Sequence, residues 1–201
     1  MARLQLNKSS LAREARSLRT YERFLPSLDL KRQQLMAERA KAAKTLAETG
    51  GEIARFGQEV GQRLPMLANL NVDLTGLATV TDVVVEMENL VGTRLPRLER
   101  IEVRIRPYAL LSKPHWVDTA AVLLRDMLEL RIRLQVEQRR VALLDEAVKT
   151  ITQRVNLFDK VLIPRTKANI KRIRVYLSDE QMAAVVRSKI SKRKHAAAGV
   201  P

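Results

Sequence analysis

The side chains that could do chemistry are few. His115 and His195 are the only histidines, and cysteine is absent. A histidine can serve as a general base or a metal ligand, but it needs a second group at matching spacing. No pair of histidines at metal spacing exists here. His115 lies in Lys113-Pro-His-Trp116, a turn context, and reads as a loop histidine. Lack of cysteine removes disulfides, thiolate nucleophiles, Cys-ligated zinc and iron–sulfur clusters, and it fits a reducing compartment. The chain has no Walker A sequence and no Gly-rich phosphate loop. The adjacent carboxylates Asp145-Glu146 lie on a helix whose opposite stripe is apolar. They read as a solvated face, with a partner contact as the alternative. Catalysis, a cofactor and a metal site are therefore not expected.

Charge is the chemistry that remains. Among 201 residues, 37 basic and 22 acidic side chains leave a net charge of +15. Such a balance points first to nucleic acid, an anionic membrane surface or an acidic protein partner. Its distribution is uneven. Residues 1–64 carry 13 basic and 7 acidic groups, and residues 160–201 carry 11 and 2. Residues 65–117 and 118–159 are each balanced. The densest basic run is Arg187-Ser-Lys-Ile-Ser-Lys-Arg-Lys194. No apolar run approaches the roughly 20 residues that would span a bilayer. The first ten residues lack the apolar stretch of a secretory signal. A soluble cytoplasmic protein is expected.

Two long helical segments must position that charge. In the second, steps of three and four give Ala120, Leu123, Met127, Leu130, Leu134, Glu137, Val141, Leu144, Val148, Ile151, Val155, Phe158 and Leu162. Only Glu137 is polar. A sustained spacing of 3.5 keeps one stripe facing a partner helix, which is a coiled-coil seam. Glu137 marks either a register-setting polar position or a gap in the seam. At Ile163-Pro164 the phase slips by one residue, and the stripe resumes at Ile163, Ile170, Ile173 and Leu177. Pro164 predicts a kink there. The first segment has a weaker row, Leu11, Leu18, Tyr21, Leu25, Leu28, Leu35, Ala42, Leu46, Ile53, Phe56 and Val60. Glu14, Arg32, Arg39, Thr49 and Arg63 interrupt it. Ser9 or Ser10 is the expected N-cap. Pro26 predicts a second kink, and Gly50-Gly51 a bend or break.

Between the two segments, Pro65, Gly76, Gly92, Pro96, Pro107 and Pro114 punctuate the chain. Val80-Thr-Asp-Val-Val-Val85 is β-branched and Ile101-Glu-Val-Arg-Ile105 alternates, which predicts a hairpin within about 80–106. The expected fold is mainly α: a long antiparallel two-helix coiled coil with a short β-hairpin insert. Its parts are an N-terminal coiled-coil helix (1–64), a turn-rich insert (65–117), a C-terminal coiled-coil helix (118–191) and a basic, frayed tail (192–201). Antiparallel pairing brings both basic terminal segments to one end.

Three stretches resemble a known family. Val141-Ala-Leu-Leu-Asp-Glu-Ala-Val-Lys-Thr-Ile-Thr-Gln-Arg-Val-Asn156, followed by Val161-Leu-Ile-Pro-Arg165, is similar to the C-terminal helix of the D subunit of V-type (archaeal/vacuolar) rotary ATPases. Arg154, Val155, Asn156, Ile163, Pro164 and Arg165 match its pattern position by position. Leu28-Asp-Leu-Lys-Arg-Gln-Gln-Leu-Met36 resembles the family's LLKxKxDxLM segment, with glutamine at the aspartate position. Glu88-Asn-Leu-Val-Gly-Thr-Arg-Leu-Pro96 resembles its N-[VI]-x-G-[VT]-x-[LV]-P segment.

The resemblance implies a non-catalytic rotor axle. Its partners would be the catalytic A and non-catalytic B subunits, the F subunit, and the funnel-shaped C/d subunit that leads to the membrane ring. It implies no cofactor, no small-molecule ligand, no nucleic acid, and a cytoplasmic location peripheral to the membrane. The candidate partner contacts are Arg154, Asn156, Pro164, Arg165, Lys171, Arg172, Lys192, Arg193 and Lys194. The alternative is a basic nucleic-acid-binding coiled coil, supported by a pI near 10.7. No recognised nucleic-acid motif supports it, and aromatic stacking platforms are nearly absent.

Overall fold

The computed structural model describes residues 4–68, 74–108 and 113–197. The first helix, α1 (Lys8–Arg63), is preceded by Asn7. The Asn7 Oδ1 accepts the backbone N–H of Ser10 at 2.7 Å, and the Leu11 N–H bonds the Asn7 carbonyl at 3.0 Å. That is the geometry of an N-cap followed by the first helical bond. The cap is thus Asn7, not Ser9 or Ser10. Ser10 takes the donor role three residues later and is itself buried. The helix then continues through both Pro26 and Gly50-Gly51 without ending. An internal proline removes one helical bond and costs about 3 kcal/mol. Leu25 and Leu28, half-buried on either side of Pro26, supply apolar burial against that cost.

After a 3-10 turn (Pro65–Ala68) comes an antiparallel hairpin, β1 (Ala78–Leu90) and β2 (Thr93–Ile105). The predicted hairpin at 80–106 is found, with strands of 13 residues each. Leu90 pairs with Thr93, so Val91-Gly92 form a two-residue loop. Both have positive φ, 51° and 79°. Such loops need positive φ at both central residues to match strand twist. Glycine accepts this freely, but a β-branched valine is strained there by about 1–2 kcal/mol. The ladder is irregular at Thr81 on β1 and at Glu99 on β2.

The second half is α2 (Trp116–Asn156), a π-helical turn (Leu157–Leu162) and α3 (Ile163–Ala197). The π turn explains the one-residue slip of the apolar stripe. The Ile163 N–H bonds the Phe158 carbonyl, five residues back. One extra residue is thereby absorbed without ending the helix. Pro164 follows at once; it has no N–H to give and would crowd the carbonyl four residues earlier. The buried Thr166 hydroxyl bonds the Leu162 carbonyl at 2.7 Å, satisfying both groups.

The chain forms two compact units, residues 1–30 with 151–201, and residues 31–150. In the first, the helices run antiparallel. Asn169 donates to Glu14 at 3.2 Å, Lys167 pairs with Glu22 at 3.0 Å, and Tyr21 meets Phe158 edge-on. Ile151, Val155, Ile163, Ile170 and Ile173 are buried between them. In the second unit, Arg39 pairs with Asp145 at 2.7 Å, again antiparallel. Leu35 and Leu144 are buried, and the buried Thr49 occupies a seam position. A core of Leu64, Leu77, Trp116, Val117, Ala120, Ala121 and Leu123 joins the end of α1, the hairpin base and the start of α2. The Arg106 N–H bonds the Leu77 carbonyl at 2.8 Å, closing the hairpin base on this core. Tyr108 donates to Asp118 in the first turn of α2, and that bond raises the phenol's pKa above its usual value.

All thirteen seam positions from Ala120 to Leu162 are buried or half-buried, and so are all eleven of the first row. Asp145 is exposed, and its partner is Arg39 of the neighbouring helix rather than solvent alone. The helix continues past Ser191, so that residues 192–197, predicted as a frayed tail, extend α3. Residues 198–201 lie outside the described residues.

Two changes test these devices. Deleting the exposed Val161 removes the extra residue, so that a regular α-helix keeps Ile163, Ile170 and Ile173 on the seam. Urea unfolding should show a change of less than about 1 kcal/mol; a loss of about 3 kcal/mol or more would mean that the π turn does more than absorb one residue. Val91→Asn relieves strain and should raise stability by about 1 kcal/mol. A lower urea midpoint would show instead that the half-buried valine contributes more by packing than it costs in strain.

Candidate partner-binding surfaces

The nine sequence-predicted contact residues all belong to the unit formed by the two termini, and all are exposed. They do not converge on one site. Arg154 and Asn156 lie at the end of α2, and Pro164 and Arg165 open α3 just beyond the π turn. Lys171 lines a shallow groove with Arg19, Glu22 and Lys167. Arg172 lies beside Leu4–Asn7, together with Tyr176. Lys192, Arg193 and Lys194 are on the last turns of α3.

The position of Arg172 and Tyr176 beside Leu4–Asn7 has a geometric consequence. Helix α1 begins at Lys8, so α3 loses its companion helix near Tyr176. Every side chain described from Ser178 to Ala196 is exposed. At 1.5 Å per residue, this bare helix is about 30 Å long. It is amphipathic. Met182, Val185, Val186 and Ile190 follow helical spacing, and Met182 is 60% and Ile190 49% exposed. Between and after them stand Arg187, Lys189, Lys192, Arg193 and Lys194, with no acidic residue after Glu180. A single helix with an uncovered apolar face gains little from its own chain. The basic residues were legible in the sequence. The apolar ones continue the helical spacing past Leu177, and that continuation beyond the reach of the first helix is the sequence signal for them.

In the other unit, Glu137 lines a groove of about 530 Å³ with Ala42, Thr45, Val136, Arg140 and the β2 residues Pro96–Ile101. Small Ala42 and Thr45 leave the space, so Glu137 stands at a gap in the seam. Its Oε2 is buried and makes no hydrogen bond among the described residues. Arg140 bridges α2 to both strands, donating to Glu88 at 3.2 Å and to the Pro96 carbonyl at 3.2 Å. His115 is exposed in the turn before α2, and His195 is exposed on α3. Among the described residues no helix is long and apolar enough to cross a membrane.

Two long helices paired antiparallel within each unit, a hairpin inserted between them and a bare basic extension define a class, a paired-helix protein with surface left for partners. The family model for the ATP synthase D subunit matches residues 10–193, and the chain belongs to that family. It is 33% identical to the V-type ATP synthase D subunit of Borreliella burgdorferi over 192 residues, 96% of this chain and 95% of the relative. It is 30% identical to the V-type ATP synthase D subunit of Chlamydia muridarum over 203 residues, 96% of each. The corresponding relative in Chlamydia pneumoniae is 29% identical over 196 residues, 95% of this chain and 92% of the relative.

The bare helix makes a prediction. Val186→Ser with Ile190→Ser removes apolar surface that nothing in the chain covers. The unfolding free energy of the isolated protein should change by less than about 0.5 kcal/mol. A loss of about 2 kcal/mol or more would mean that this face packs within the chain or on a second copy of it.

Proposed function

We propose that this chain is the central stalk, the rotor axle, of a V/A-type rotary ATPase. It couples ATP hydrolysis or synthesis in a hexamer of A and B subunits to ion translocation by a membrane ring. The observation that carries this reading is the bare end of α3, a helix with an apolar face and a basic excess. Family membership gives the assembly in which such a helix would be covered. ATP chemistry would take place at A–B interfaces, with this chain non-catalytic. An F subunit and a funnel-shaped C/d subunit complete the rotor, and the chain is peripheral to the membrane through them.

Physical chemistry suits the role. An axle must turn in its bearing without locking into one pose. Coulomb attraction fades gradually with distance, whereas apolar packing is short-ranged. A basic tip facing acidic loops of the hexamer would therefore be held while it rotates. Surface pairs along the seam, such as Lys167–Glu22, contribute at most about 1 kcal/mol each. Stiffness must come mainly from the buried stripe. Arg154, Asn156, Pro164, Arg165, Lys171 and Arg172 are proposed as contacts along the same unit.

Reversing charge at Lys192, Arg193 and Lys194 to glutamate tests the tip. Affinity for the A–B hexamer should fall about tenfold or more at low salt, with the difference shrinking as ionic strength rises. Equal affinity of variant and parent at every ionic strength would count against the reading. Co-purification with RNA and without A, B or F subunits would favour the nucleic-acid alternative.

A further inference from the structure

Neither edge of the hairpin has a further strand beside it among the described residues, and only one edge is blunted. Leu90 and Thr93 close the loop as a pair, so hydrogen-bonded and non-hydrogen-bonded pairs alternate from there. Met87 opposite Pro96 is then a non-hydrogen-bonded pair, and the backbone groups of both point out of the hairpin. On β2 this outward position holds a proline, which has no N–H, and its carbonyl is occupied by Arg140. Both are devices that stop further strand pairing.

The outer edge of β1 carries neither device beyond its irregularity at Thr81. By the same alternation, Val83, Val85, Met87 and Asn89 direct their N–H and C=O groups outward. No further strand pairs with them among the described residues. Residues alternate faces along a strand, so these four also share one face. That face is apolar over three positions, with Val85 40% and Met87 55% exposed. The other face carries Asp82, paired with Arg100, Glu88, paired with Arg140, and Glu86, and β1 has no basic residue.

We infer that the outer edge of β1 receives an extended segment of a partner protein as a third strand, one that alternates apolar with basic residues. The unpaired backbone groups specify a strand, since only a strand repeats donor and acceptor at that period. The side chains specify its sequence. Apolar residues would stand beside Val83, Val85 and Met87, and lysine or arginine beside Glu86, since Glu88 is already paired with Arg140. A second copy of this chain is disfavoured, because β1 against β1 sets carboxylates opposite carboxylates. The inference stands on the hairpin alone and does not need the axle reading.

A seven-residue peptide alternating valine and lysine, end-blocked and fluorescent, is the probe, with a valine–glutamate peptide as its control. The full chain should bind the lysine peptide at least tenfold more tightly. Amide exchange at Val83, Val85, Met87 and Asn89 should slow when the lysine peptide binds. Met87→Pro removes one outward N–H without removing a bond of the hairpin. It should weaken binding at least tenfold, whereas Met87→Leu should not. Equal binding of the two peptides overturns the inference, as does exchange slowed on the helices but not on β1. Self-association of the free chain through β1, seen by sedimentation and amide protection, overturns the choice of partner. Should Met87→Pro fail to fold, amide exchange in the unaltered chain decides alone.

Discussion

The rest of the structure depends on one requirement, that each long helix bury an apolar stripe it cannot bury by itself. A stripe of spacing 3.5 on a helix has no use except against another such stripe. In the unit of residues 31–150 this requirement sets Leu35 and Leu144 in the seam and brings Arg39 to Asp145. In the unit of the two termini it sets Ile163, Ile170 and Ile173, and brings Glu14 to Asn169. Ion pairs follow from this register more than they cause it. They are half-exposed, and exposed pairs contribute little.

Departures from regular geometry serve the same requirement. A proline at 164 would ordinarily weaken the helix, but it follows a π turn that has already rotated the register. Without the π turn to absorb the extra residue, the isoleucines beyond it would point away from α1. Pro26 and Gly50-Gly51 are carried within a continuous helix in a similar way, with burial on the seam set against local propensity. The gap at Glu137 is the exception, since small residues at 42 and 45 leave the groove open beside the hairpin.

Surfaces released from the seam are where partners can act. Beyond Tyr176, α3 no longer has α1 beside it, and its apolar and basic residues are both bare. On the hairpin, Arg140 ties both strands to α2 through Glu88 and the Pro96 carbonyl, and Pro96 blunts the β2 edge, while the outer edge of β1 has no strand partner among the described residues. One surface is basic and helical, the other acidic and extended. Their opposite charge and different backbone geometry suit them to different partners.

Much of this was legible in the sequence because it is periodic. The two apolar rows, the alternating strand at Ile101–Ile105, the one-residue slip at Ile163 and the uneven charge are all patterns of spacing, and spacing survives without coordinates. The cap at Asn7 was not legible, because three neighbouring polar residues compete for that role and only backbone geometry selects one. The π turn was not, since a phase slip is equally compatible with a proline kink. The positive φ at Val91 runs against the residue's own preference and follows from strand pairing. Least legible was the bare length of α3, because the sequence shows where a stripe continues and not where the opposite helix begins. Local spacing determined the elements and their buried faces. Which faces remain open was decided only by tertiary structure, because burial depends on the neighbour present at each level of the pair.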